Sequence, residues 1–149
     1  MKTDYIIVAG SSGGHILPAI SLVNNLSQTD KKIVFITNKN GLTYIKLIKN
    51  NNCFVKIIEQ SNRLKILITQ LVICSNYFIK NKNIRVIGFG GFLTIVPLFL
   101  GRIFNFFFKK NIIYLHEQNI IYGLANKINY IVSNYAFISF PKKQLKKKE

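Results

Sequence analysis

Short, almost wholly apolar runs alternate along this chain with longer stretches whose apolar residues recur every three or four positions. The short runs are Tyr5–Ala9, Lys32–Thr37, Phe54–Ile58, Arg85–Ile87, Ile112–Leu115 and Tyr135–Ile138. Their length and β-branched content predict six buried strands. The first long stretch, His15–Leu26, puts Ile16, Ala19, Ile20 and Val23 on one helical face. Leu42–Lys49 predicts a short helix closed by Asn50-Asn51-Asn52, and Leu64–Ile79 a longer apolar one. Leu93–Phe108 and Ile121–Val132 predict two more, with Pro97 in the first turn of the former, where proline is tolerated. Strand-then-helix alternation of this kind predicts an α/β fold: a doubly wound parallel sheet covered on both faces.

Three polar segments interrupt the pattern, each where a strand ends and a helix begins. In an open parallel sheet that edge is where ligands bind. The first is Ala9-Gly10-Ser11-Ser12-Gly13-Gly14-His15. Its glycines let the chain turn tightly and bring backbone N–H groups near a ligand, and the helix that follows adds its positive dipole end, a combination suited to phosphate or diphosphate. It is not a P-loop, because no Lys-Ser/Thr follows the glycines, and it fits a dinucleotide fingerprint poorly, because no acidic residue ends the second strand. A plain turn would explain the glycines alone. His15 adds a titratable imidazole at the helix N-terminus, a candidate base or phosphate ligand. The second segment, Gly88-Phe89-Gly90-Gly91, repeats the arrangement and becomes informative as the second of a pair.

The third is His116-Glu117-Gln118-Asn119. Four hydrogen-bonding residues after an apolar strand are costly to bury unpaired, so they line a cleft or cap the next helix. Asn119 is a good cap residue by type. Glu117 is one of only five acidic residues and is flanked by His and Gln, which makes it a candidate general base or sugar-hydroxyl acceptor.

Composition refines the picture. The length of 149 residues suits one domain, where a two-domain enzyme needs about twice as many. Hydrophobic residues make up 49% of the chain, which excludes general disorder. Cys53 and Cys74 sit in apolar segments without metal-ligand spacing and read as reduced thiols of a cytosolic protein. Basic residues outnumber acidic ones 21 to 5, a formal charge of +16. Lys, Asn and Ile dominate, as AT-rich coding would produce, so the charge reads either as compositional drift or as attraction to an anionic membrane surface. No nucleic-acid-binding signature is present. The run from Lys142 to Glu149 reads as a solvated lysine-rich tail. No signal peptide is evident. The charge-free apolar stretch Val86–Gly101 is short for a membrane span and carries Gly88, Gly90, Gly91 and Pro97, so a cytosolic chain is expected, resting at most on a membrane face.

The ordered strings Gly-Ser-Ser-Gly-Gly-His-Ile-Leu-Pro-Ala, Gly-Phe-Gly-Gly-Phe and Leu-His-Glu-Gln-Asn with downstream Gly-Leu-Ala-Asn-Lys resemble the N-terminal domain of the MurG-type family 28 glycosyltransferases, from about Tyr5 to Phe140. The resemblance implies a Rossmann-like N-terminal half of a GT-B architecture, with a domain over 1–140, the tail over 141–149, and no C-terminal donor domain. It implies transfer of GlcNAc from UDP-GlcNAc to undecaprenyl-diphospho-muramyl pentapeptide in peptidoglycan synthesis, without metal or cofactor, on the cytoplasmic face of the bacterial inner membrane. By that resemblance His15 and Glu117 are the catalytic candidates. Ser12, Gly13, Gly14 and Asn119 match donor contacts, and Gly10, Gly13, Gly14, Gly90 and Gly91 frame the acceptor diphosphate. Three positions depart from the family pattern: Ser11 replaces a glycine, Phe92 a tyrosine, and Pro97 stands one place beyond the expected proline, where Val96 sits. Two alternatives stand beside the enzyme reading: an acceptor-binding subunit that pairs with a separately encoded C-terminal half, and an inactive truncated remnant.

Overall fold

The computed structural model describes residues 3–59, 62–107 and 110–140. The lysine-rich tail, Phe108 and Lys109 lie outside them. Six strands form one sheet: β1 (Tyr5–Val8), β2 (Ile33–Asn38), β3 (Cys53–Ile58), β4 (Arg85–Gly88), β5 (Ile112–Glu117) and β6 (Tyr135–Ile138). Their spatial order is β3-β2-β1-β4-β5-β6, and every neighbouring pair is parallel. The chain therefore winds outward from β1 to β3, crosses back, and winds outward again from β4 to β6. The order reverses between β1 and β4, the switch point of a doubly wound sheet.

Five α-helices make the connections: α1 (Gly13–Asn25), α2 (Leu42–Ile45), α3 (Arg63–Lys80), α4 (Ile95–Phe104) and α5 (Leu124–Val132). Strand residues alternate between two cores. Ile6, Val8, Val34, Val86, Ile113 and Leu115 meet α3 and α4 on one face. Ile7, Ile33, Phe35 and Ile87 meet Ile16, Ala19, Ile20 and Val23 of α1 on the other. These four are the residues the periodicity of the first helix selects. Right-handed crossovers require this division.

Some boundaries differ from expectation. The first helix begins at Gly13 rather than His15. The Leu42–Lys49 helix shrinks to one turn, Leu42–Ile45, entered through a 3-10 turn at Lys39–Gly41. The predicted Leu93–Phe108 helix is α-helical only over Ile95–Phe104, with 3-10 turns at Phe92–Thr94 and Asn105–Phe107. Pro97 does fall in its first turn. The last helix starts at Leu124, with Gly123 as its cap in extended conformation, so Ile121 belongs to the preceding loop and Asn119 caps nothing. Cys74 is buried and Cys53 half-buried, and both are free thiols. Burial raises their pKa to about 12 and about 11, so neither is a nucleophile near neutral pH.

Candidate functional site

The switch point brings the two glycine segments side by side. β1 and β4 are hydrogen-bonded neighbours, so the loops that leave them start from adjacent positions. Phe89 N–H donates to the Val8 carbonyl at 2.8 Å, and Gly10 N–H donates to the Gly90 carbonyl at 3.1 Å. The ladder is thus continued past both strand ends. Gly10, Ser12 and Gly91 line one cleft of about 390 Å³, whose walls include Ser11, His15, Arg63 and Phe92; Gly13, Gly14 and Gly90 are not part of its lining.

The second loop has a left-handed backbone, with φ of 92° at Gly90 and 85° at Gly91. An added Cβ at Gly90 would lie 2.7 Å from the His15 ring and 3.2 Å from Asn126 Nδ2. Glycine is required there for two reasons, conformation and space. Thr94 secures the loop from the far side: its hydroxyl donates to the Gly91 carbonyl at 2.7 Å and accepts from Asn129 Nδ2 at 2.6 Å. Thr94 and Asn129 are both buried.

His15 stands where the loops meet. Its Nδ1 is 2.6 Å from Ser12 Oγ, which fixes the ring against the first turn of α1. When Nδ1–H donates to that hydroxyl, Nε2 is left with a lone pair, the form a base needs. Burial lowers the His15 pKa from its ordinary value; the Glu117 charge opposes that shift and His116 reinforces it. The imidazole is consequently neutral at pH 7, competent to accept a proton.

Glu117 is the last residue of β5 and not part of the loop after it. It is 0% exposed. One carboxylate oxygen accepts the Asn119 backbone N–H at 2.8 Å, and the other accepts Asn126 Nδ2 at 2.9 Å. This charge is held inside the protein and fastens the β5–α5 loop to α5. Asn119 itself is exposed. The His116 ring packs tilted against Phe89 with ring centroids 4.9 Å apart, and its Nδ1 lies 3.3 Å from Gln118 Oε1. Among the described residues, no group of three or more His, Cys, Asp or Glu side chains is placed to hold a metal ion.

Residues 5–138 match the model of the glycosyltransferase family 28 N-terminal domain. The chain belongs to this family. It is 31% identical over 142 residues to a transferase of Rickettsia massiliae (strain Mtu5), covering 93% of this chain and 34% of that protein. It is 32% identical to the corresponding protein of Rickettsia felis, covering 36% of its length. Both relatives are named as UDP-N-acetylglucosamine–N-acetylmuramyl-(pentapeptide) pyrophosphoryl-undecaprenol N-acetylglucosamine transferase. The crystal structure of Acinetobacter baumannii MurG superimposes with a TM-score of 0.69 at 19% identity, over 93% of this chain and 42% of that one, which establishes the shared fold. The chain therefore spans about a third of the length of the curated relatives it matches.

Within this family 28 domain, the structure explains one departure. Ser11 adopts no left-handed backbone; among the described non-glycine residues only Asn83 does, at φ 60°. A Cβ at this point of the first loop is therefore unstrained. Several residues at the site were not marked by the sequence reading. Arg63 opens α3 and lies over the Phe92 ring, 5.9 Å from its centroid, at the rim of the cleft. Asn126, marked beforehand only as part of the Gly-Leu-Ala-Asn-Lys string, donates to Glu117, and Asn129, which was not marked, donates to Thr94; both are buried, at helical i, i+3 spacing. Polar residues on the buried face of an amphipathic helix are the signal that would have found them.

Proposed function

We propose that this chain is the acceptor-side half of a transferase that moves GlcNAc from UDP-GlcNAc onto an undecaprenyl-diphosphate-linked muramyl pentapeptide. The observation that carries the reading is the junction of the two glycine loops, with His15 at their meeting point, in a family 28 domain. Amides of Gly13 and Gly14 at the start of α1, with those of Gly90 and Gly91, receive the acceptor diphosphate, where helix dipole and N–H donors favour negative charge, while Gly10 frames the site through its bond to the Gly90 carbonyl. Ser12, Gly13, Gly14 and the exposed Asn119 reach the donor. The acceptor's 4-hydroxyl attacks the anomeric carbon, its proton passes to His15 Nε2, and UDP departs with inversion. Buried Glu117 is a positioning residue: it keeps the imidazole more basic than burial alone would and holds the Asn119 loop in place. No cofactor or metal enters this scheme.

The same reading sets the chain against a membrane surface, reaching the lipid-linked acceptor from the cytoplasmic side. α3 carries an exposed apolar stripe, Leu64, Ile68, Leu71 and Val72, beyond its core-facing side. Beside it, Phe106 is 81% and Phe107 65% exposed, while Phe104 packs inward on Phe78 at 5.4 Å. Phe106 and Phe107 are thus available for surface contact, and Phe104 is not. No helix of the described residues is long and apolar enough to cross a membrane. Apolar contact combined with a +16 charge suits peripheral binding to anionic lipid.

A donor domain is needed to hold uracil and ribose, and positioning of that kind is worth roughly 7–11 kcal/mol of the barrier. The chain alone therefore gives no turnover, and a supplied C-terminal half restores it. The test mixes the purified chain with labelled UDP-GlcNAc and a soluble lipid-linked acceptor analogue, with and without the remaining two-thirds of the Rickettsia massiliae relative. Turnover only in the complemented mixture, abolished by His15→Ala, supports the reading. Turnover by the chain alone contradicts it, and none in either mixture favours an inactive remnant.

A further inference from the structure

The cleft beside the glycine loops carries a cation that the transfer chemistry does not use. Among the described residues that line it, Arg63 alone is charged at neutral pH. Its guanidinium lies over the Phe92 ring at 5.9 Å, and Phe92 directly follows Gly91. The stack keeps a planar fork of N–H donors beside the second loop, and such a fork takes a phosphate or carboxylate with two bonds. Local structure gives no reason of its own for an arginine here. Arg63 is the first residue of α3, whose first turn has no acidic residue, and a cation at that end opposes the helix dipole. Lysine supplies most of the positive charge: only three of the 21 basic residues are arginine. Among the described residues no carboxylate pairs with Arg63. Glu117, the acidic side chain nearest the loops in sequence, is buried and bonded to Asn119 and Asn126.

The rest of the lining selects the kind of anion. Ile66, Phe92 and Leu93 give the same cleft an apolar wall. Leu64, which adjoins Arg63 in the chain, and Ile68 one turn on are exposed and begin the apolar stripe of α3. A fork-shaped cation beside an apolar wall suits an anionic head joined to a hydrocarbon chain. We propose that Arg63 is a specificity-determining residue that binds the lipid-side phosphate of a prenyl diphosphate, while Ile66, Phe92 and Leu93 receive its first isoprene unit. This rests on the acceptor-half reading and deepens it. The amides at the start of α1 hold the sugar-side phosphate, Arg63 holds the other, and the pair of contacts sets which end of the acceptor runs towards the stripe.

The test follows geranyl diphosphate binding to the full chain by calorimetry and by phosphorus NMR, in which the two phosphorus atoms of the ligand give separate signals. Arg63→Gln should weaken binding about tenfold or more. At saturation it should return the signal of the prenyl-bearing phosphorus towards its free position more than that of the terminal one. Arg63→Lys, which keeps the charge and loses the fork, should bind between parent and Arg63→Gln. Lys65→Gln, an exposed neighbour on α3, should change affinity by less than about twofold, which separates Arg63 from the bulk charge. Methyl diphosphate should bind the parent about tenfold more weakly than geranyl diphosphate, because it leaves the apolar wall uncovered. Arg63 is exposed, so melting curves of its variants should match the parent. Equal affinity of parent and Arg63→Gln, equal losses in Arg63→Gln and Lys65→Gln, or equal binding of the methyl and geranyl ligands would overturn the inference. Loss in Gly14→Val with none in Arg63→Gln would overturn it and leave the acceptor-half reading standing. Loss in Arg63→Gln with none in Gly14→Val would do the reverse, and no binding by the folded parent would overturn both.

Discussion

The two glycine loops read alike in the sequence and differ in what their glycines are for. In the second loop Gly90 and Gly91 occupy backbone conformations that side chains rarely adopt, and Gly90 is wedged between the His15 ring and Asn126. In the first loop no glycine has a positive φ among the described residues. A Cβ at Gly13 would make only ordinary contacts, and one at Gly14 would meet nothing within 4 Å. The second loop is built from glycine because the protein needs it there. The first uses glycine where the protein itself would accept a side chain, which leaves room for the ligand proposed above. A loop that frames and a loop that receives are the two parts an anion site needs.

The sharpest way to break this contrast is Gly90→Ala. It forces an L-residue into a left-handed conformation and drives a methyl group into the His15 ring. The two effects together cost about 3 kcal/mol or more, lowering Tm by roughly 6–12 °C in a domain of this size. Thr94→Val comes next. It deletes the hydroxyl that joins the Gly91 carbonyl to Asn129, leaving a buried amide short of its acceptor, for about 1–3 kcal/mol by urea unfolding. If either variant melts like the parent, the second loop is not held as described.

A smaller effect concerns His15. Its folded pKa lies below the ordinary value of 6.5. The unfolded chain therefore binds more protons in the window between the two, and stability rises as pH increases through that window, then levels off above it. His15→Asn should remove this slope. Glu117→Gln removes the charge that opposes the burial effect, so the His15 pKa should fall further in an NMR titration. A rise instead would show that Glu117 does not act on His15.

Much of this was legible beforehand because periodicity and glycine placement are local signals. β6 spans Tyr135–Ile138 as the apolar run indicates, and all three polar segments do gather at one sheet edge. What stayed hidden depends on tertiary contact. Glu117 looks like a loop carboxylate until pairing with β6 extends β5 through it, with Ser139 N–H donating to its carbonyl at 2.9 Å. The α5 start is displaced because the chain leaves β5 at Glu117 and runs as a loop to Gly123 before the helix begins, a length no local pattern encodes. The different roles of the glycine loops are equally invisible, since Gly90 is packed against the first loop and Asn126, residues distant in sequence.

The most direct test of the central claim is calorimetric titration of the chain with geranyl diphosphate, comparing the parent with Gly14→Val. A side chain at Gly14 meets open space, so stability should change by no more than about 0.5 kcal/mol. In the proposed site the same side chain would crowd a diphosphate held by the amides at the start of α1. The account predicts saturable binding by the parent and at least a tenfold loss in Gly14→Val at unchanged Tm. Equal affinity in the two proteins, or no binding by the folded parent, would contradict it.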